Sequence, residues 1–200
     1  MLVEWSAECS ADDPVLVVPW SDPAGPNRRF IDLRENPYDL DTLEEAAQYP
    51  PLMNALRALN ATRAPVFTAK CDAWPLNLDD PAELDHLHLN LGISAEETPA
   101  GFASYIDLLW RERAVFASFH QHEQLMHRLA RLADPLDHPY AMAEGVIRPA
   151  LIDLTSPQEG FAISLYIKAL GHDEQTAEEN WASALAAIVA LLRGRAFTLA

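Results

Sequence analysis

Apolar and polar residues alternate with period two in several short stretches of this chain, which predicts strands. In Leu2–Cys9, Val3, Trp5, Ala7 and Cys9 fall on one side and Glu4, Ser6 and Glu8 on the other. A turn at Ser10–Pro14 leads into the apolar run Val15–Trp20, and the two runs predict a hairpin. A loop over Asp22–Asn27 and a short strand over Arg29–Leu33 follow. Val66–Trp74 alternates again, with Phe67, Ala69, Cys71 and Ala73 opposite Thr68, Lys70 and Asp72. Phe102–Trp110, Val146–Leu154 and Phe161–Ala169 complete the strands. Pro149 suits an edge or a bulge, because proline gives no N–H to a ladder. Phe161, Ile163, Leu165 and Ile167 share one side of the last strand.

Other stretches carry the helical period. Asp41 opens a helix, with Glu44 at capping-box spacing. Pro50-Pro51 interrupts it, and a second piece, Leu52–Leu59, ends at Asn60. Ala114–Ala133 is amphipathic: Val115, Phe119, His122, Met126, Leu129 and Ala133 lie opposite His120, Glu123, Gln124, His127 and Arg131. Asp173 caps a last helix that buries Ala177, Trp181, Ala184, Leu185 and Ile188 and stops near Gly194.

The elements predict an α+β fold, a mostly antiparallel sheet with about three amphipathic helices on one face. The second half, β-α-β-β-α, suits a ferredoxin-like arrangement. One domain over 1–200 accommodates this. The alternative is two halves, 1–74 and 100–200, joined by a segment 75–99 that carries prolines 75, 81 and 99 and six acids. Phe30–Leu33 and Tyr105–Leu108 look alike, but four residues do not make a repeat.

Half of the residues are hydrophobic and the mean hydropathy is −0.08, enough for a core and against global disorder. No stretch approaches the length needed to span a bilayer, and the N-terminus lacks the features of a secretory signal, so a cytoplasmic protein is expected. Cys9 and Cys71 are too few for a disulfide scaffold or a metal cluster and read as buried free thiols.

Charge narrows the function. The formal net charge is −16; residues 1–100 hold 18 acids against 6 bases, and residues 101–200 hold 12 against 8. Such a field repels nucleic-acid phosphates and anionic membranes and attracts basic partners. Catalytic frames are missing: there is no Gly-x-Ser-x-Gly elbow, and the seven glycines are scattered, so no phosphate-cradling loop exists. No catalytic residue, cofactor or metal is assigned.

Histidines supply the remaining candidate chemistry. His122-Glu123 with His127 misses the zinc-protease helix spacing by one residue. His120, Glu123 and His127 do share a helix face, but a solvated polar face accounts for them better, since catalytic zinc needs three protein ligands and structural zinc four. His86 and His88 pair outward if their segment is a strand and diverge if it is a helix beginning near Pro81. The expectation is a non-enzymatic module binding a basic protein through Asp79, Asp80, Asp85, Glu96 and Glu97, with Trp20 and Trp74 as contact aromatics. The alternative is a metal-assisted hydrolase using the histidines. A homo-oligomer is compatible with both, because a single helix layer leaves one sheet face to cover.

Overall fold

The computed structural model describes residues 1–20, 30–33, 36–76, 81–153, 155–194 and 197; the expected loop over 22–27 lies outside them. Six strands form one sheet: β1 (Leu2–Ala7), β2 (Leu16–Val18), β3 (Val66–Leu76), β4 (Ala100–Trp110), β5 (Ala141–Ile152) and β6 (Gln158–Gly171). Their order is β1-β5-β6-β4-β3, with β2 also paired to β5. β3, β4, β6 and β5 are successively antiparallel, whereas β1 and β2 run parallel to β5. The helices are α1 (Glu44–Gln48), α2 (Pro50–Leu59), α3 (Pro81–Leu91), α4 (Arg113–Phe116), α5 (Phe119–Ala133) and α6 (Glu174–Arg193), with a 3-10 turn at Pro37–Thr42.

The second half forms the expected β-α-β-β-α unit. β4 and β5 are parallel to each other, and β6 lies between them, antiparallel to both. That is the split arrangement of a ferredoxin-like sheet. The place beside β4 is taken by β3, so the sheet runs through both halves of the chain.

Three amphipathic helices, α2, α5 and α6, cover one side of the sheet. α6 begins as predicted, with Asp173 Oδ1 accepting the Thr176 N–H at 2.7 Å, and ends at Gly194. Its stripe buries Ala177, Trp181, Ala184, Leu185, Ile188, Val189 and Leu192. Trp181 is fully buried; its indole N–H donates to Ser104 Oγ of β4 at 2.8 Å, and its ring lies 4.6 Å from that of Phe102. α5 sets Met126 over Gly145 of β5, where a side chain would collide with the methionine methyl.

Several sequence expectations are corrected. β1 and β2 do not form a hairpin; each pairs with β5. The described residues of the expected strand Arg29–Leu33, 30–33, are not in a strand. Asp41 does not cap a helix; it pairs with Arg57 at 2.7 Å, and α1 starts after Leu43 without a side-chain cap. Pro50 and Pro51 instead open α2, where their missing N–H groups go unmissed. The helix expected over 114–133 is two, because Ser118 takes an extended backbone and caps α5 by accepting the Gln121 N–H. In β3 a bulge between Thr68 and Cys71 breaks the alternation, so Phe67 and Cys71 do not share a side. β5 is an interior strand rather than an edge. Pro149 is tolerated there because β1 covers Met142–Ile147 and β2 covers Ala150–Ile152, leaving Arg148 and Pro149 between the two partners.

His122 lies at the centre of the α5 packing. It is fully buried, with its ring 5.1 Å from that of Trp110 and Nδ1 donating to the Ser118 carbonyl at 2.9 Å. Burial pulls its pKa below the ordinary value of 6.5, against the opposing pull of its backbone hydrogen bonds. The sign follows: above 6.5 both folded and unfolded forms are neutral, and below it the unfolded chain takes up a proton first. Stability is therefore lost as pH falls below that value, and urea midpoints measured from about pH 8 to about pH 5 will show a shallower decline in His122→Leu than in the parent. Ser104→Ala leaves the Trp181 indole N–H without its acceptor and will destabilise the fold by about 1–3 kcal/mol in urea unfolding.

Candidate functional site

The side of the sheet away from α2, α5 and α6 is where polar residues collect. The alternation that gives Phe161, Ile163, Leu165 and Ile167 to the helices gives Ser164, Tyr166 and Lys168 to the opposite side. Tyr105 and Asp107 of β4, and Glu144 and Arg148 of β5, share that side by register. One end of it is capped by α3, whose Leu84 and Leu87 pack on Leu76, Ala103, Met142 and Leu170. Leu109, Ala150 and Ala162, near the other end, are also buried. Between these ends lies a strip of half-buried and exposed polar residues, with Ser164 and Asp107 buried among them.

Registers align the strip into a row across the whole sheet. Asp72 of β3 lies opposite Tyr105, Tyr105 opposite Tyr166, Tyr166 opposite Glu144, and Glu144 opposite Glu4 of β1. Four interstrand spacings make this row about 19 Å long. The two tyrosine rings are 5.9 Å apart at their centroids, and Trp74 extends the aromatic surface 6.2 Å beyond Tyr105. Asp72 and Glu4, at the two ends, are exposed.

Some charges on this side are already matched. Lys168 Nζ lies 3.1 Å from Glu83 of α3 and 3.4 Å from Glu144, and 5.6 Å from the centre of the Tyr166 ring. Arg148 pairs with Glu8 at 2.9 Å, and its Nε is buried without an acceptor among the described residues. Lys70 stands 5.6 Å from the centre of the Trp20 ring. Glu4, Asp72 and Asp107 have no ion pair among the described residues.

Asp107 is the most constrained of the three. It is 4% exposed and accepts the Ser164 hydroxyl at 2.6 Å. Burial raises its pKa above the ordinary 3.8, while the Ser164 bond and the more distant Lys70 and Arg148 pull the other way. Tyr105 is held well above the usual phenol value by burial and then by the negative field of Asp107 and Asp72. Tyr166 is raised too, again mainly by burial. Among the described residues no imidazole is hydrogen-bonded to Ser164 or Asp107, so the pair lacks the base of a nucleophile relay.

The sequence-predicted residues fall around this strip rather than on it. Trp74 lines it, and Trp20 is fixed beside β3 by donating its indole N–H to the Ala69 carbonyl at 3.1 Å. Asp85 is exposed on α3, and Glu96 and Glu97 are exposed in the turns that follow it. Asp79 and Asp80 lie outside the described residues. His86 and His88 sit on α3, which settles the strand-or-helix alternative: His86 is exposed, while His88 is buried with Nε2 2.7 Å from the Thr98 carbonyl. His120 lies 3.5 Å from Glu123, but His127 packs edge-on against Trp5. Among the described residues, no three His, Cys, Asp or Glu side chains form a group that could hold a metal ion. Cys9 is exposed and Cys71 half-buried, so neither is the fully buried thiol expected.

Tyr105, Asp107, Glu144, Ser164 and Tyr166 were missed. Their signal was the second phase of the same alternation, polar residues at every other position of strands chosen for their apolar phase. No family model, curated protein or solved structure matches this chain. No helix among the described residues is long and apolar enough to cross a membrane.

Burying Asp107 has a measurable consequence. At low pH its carboxyl is protonated in both states; as pH rises past 3.8 the unfolded chain ionises first, and stability is lost until the folded group ionises as well. Asp107→Asn escapes that loss while keeping an oxygen for Ser164. Urea midpoints will therefore coincide near about pH 3 and separate with rising pH, the variant ending more stable by on the order of 1 kcal/mol.

Proposed function

We propose that this chain is a non-enzymatic protein-binding module that receives a basic segment of a partner protein across the open side of its sheet. The observation carrying this reading is the registered row Asp72–Tyr105–Tyr166–Glu144–Glu4, two aromatic rings flanked by carboxylates. Its length of about 19 Å is that of roughly six extended residues. Tyrosine presents a broad, stiff contact surface, and carboxylates at the rim attract and orient cations. The overall charge of −16 adds long-range steering of a basic partner.

The same charge argues against a second copy as occupant, since two such faces brought together would repel. The hydrolase alternative loses support, because its histidines point to separate surroundings. His88 faces the Thr98 carbonyl and His127 the Trp5 ring.

The test is fluorescence anisotropy with a labelled peptide of alternating arginine and glycine. Affinity will fall by at least about tenfold between about 20 mM and about 200 mM salt. The double reversal Glu4→Lys with Asp72→Lys will abolish most of the binding, while Glu174→Lys with Glu179→Lys, on α6 behind the sheet, will weaken it far less. Salt-insensitive binding, or equal losses from both pairs, would sink the reading.

A further inference from the structure

The sheet has two rims, β1 and β3, and they are finished differently. β3 is defended. A bulge breaks it between Thr68 and Cys71, and Trp20 takes up the Ala69 carbonyl at 3.1 Å. Lys70 stands on the same strand, beside the Trp20 ring. β1 has no such device. Its six residues run beside β5 in unbroken register, with no proline and no lysine.

One hydrogen bond fixes which main-chain groups of β1 are spare. The Glu8 N–H donates to the Ile147 carbonyl of β5 at 2.9 Å. Main-chain groups alternate in direction along a strand, so Glu4 and Ser6 also turn theirs toward β5, and Val3, Trp5 and Ala7 turn theirs outward. The outward N–H and C=O groups have no hydrogen-bond partner among the described residues. They are not covered either: Glu4, Ser6 and Ala7 are exposed, and Val3 and Trp5 are half-buried. Evenly spaced, accessible donors and acceptors of this kind are what an extended segment pairs with.

Side chains decide which segment fits. Residues placed opposite Val3, Trp5 and Ala7 would share their side of the sheet, where Val3 and Trp5 pack against the core and Trp5 meets His127 of α5. Apolar side chains suit those positions. Residues placed opposite Glu4 and Ser6 would lie on the open side. Glu4 is exposed there without an ion pair among the described residues, so a basic side chain would meet an acid not already matched. A second copy fits poorly, since two chains of charge −16 would meet rim to rim.

We propose that β1 takes up an extended segment of a partner protein as an added strand, with apolar and basic residues in alternation. This contact is separate from the tyrosine row: it uses the main chain of the rim. Antiparallel pairing lets Val3, Trp5 and Ala7 each exchange a pair of hydrogen bonds with the residue opposite.

The experiment titrates the blocked peptide Val-Arg-Val-Arg-Val into the whole protein while the amide signals of Val3, Trp5 and Ala7 are followed by NMR. Those three will shift saturably and exchange more slowly with solvent. In the paired strand the valine N–H groups point at β1 and the arginine N–H groups point to water. N-methylation of two valines will therefore weaken binding by at least about tenfold, and N-methylation of two arginines by less than about twofold. Replacing both arginines by glutamate will weaken it by about fivefold or more. Ala7→Pro removes an outward N–H that no ladder bond uses, so the fold will hold while the peptide binds about fivefold more weakly or less well still.

Equal effects of the two methylation patterns overturn the proposal, because charge alone would then hold the peptide. Equal binding of the glutamate peptide overturns it as well. If the three amides are protected without peptide and light scattering gives a dimer, a second copy occupies the rim and the proposal falls. Failure of the arginine–valine peptide to bind also ends it, and leaves the open side to be decided by the arginine–glycine peptide.

Discussion

Neighbouring residues of a strand must point to opposite sides of the sheet, and β6 uses that requirement to separate two chemistries. Its odd-numbered side chains from Phe161 to Ile167 go under the helices; Ser164, Tyr166 and Lys168 go to the other side. A slip of one residue would drive Lys168 beneath α6 and leave a row of isoleucine and leucine in water, so the register is strongly specified. The buried Trp181, keyed by hydrogen bond to Ser104 and by ring contact to Phe102, ties β4 to that register from the helix side. Core and candidate site are thus two outcomes of one alignment. The strip could not exist if the core were built differently.

The two sides are held at different energetic levels. On the helix side polar groups are rare: Ser104 is satisfied by the Trp181 indole, while His122 keeps one ring nitrogen without a partner among the described residues. On the open side the balance is uneven. Lys168 has two carboxylates, whereas Asp107 has one hydroxyl and a raised pKa. A fold selected for stability alone would put asparagine or an apolar residue at Asp107.

The sequence showed the elements more clearly than their partners. The caps and stripe of α6 were legible because a capping aspartate, a 3.6-residue period and a terminal glycine agree with one another. The last strands were legible from alternation. The hairpin of β1 and β2 was not, because short apolar runs joined by a turn fit a hairpin and two separate parallel pairings equally well, and only β5 decides. β3 misled through its bulge, which no single residue announces. At the site, net charge pointed to a basic partner but not to a place. Runs of acid such as Glu96-Glu97 stand out in a sequence, while Asp72, Tyr105, Tyr166, Glu144 and Glu4 come from five strands and meet only in the folded sheet.

The pairing of β1 and β2 with β5 has a consequence for the chain as it is made. Leu2 pairs with Met142 and Val18 with Ile152, so each strand waits for a partner well over a hundred residues downstream. At ribosomal speeds of about 5–20 residues per second that wait is roughly 7–30 s. Until α5 and then β5 emerge, Val3 and Trp5 have neither the helix that covers them nor the strand they join. The acids among them, Glu4 and Glu8, keep this early segment hydrated and self-repelling during emergence. The same side chains that border the strip in the finished protein guard the nascent one against aggregation.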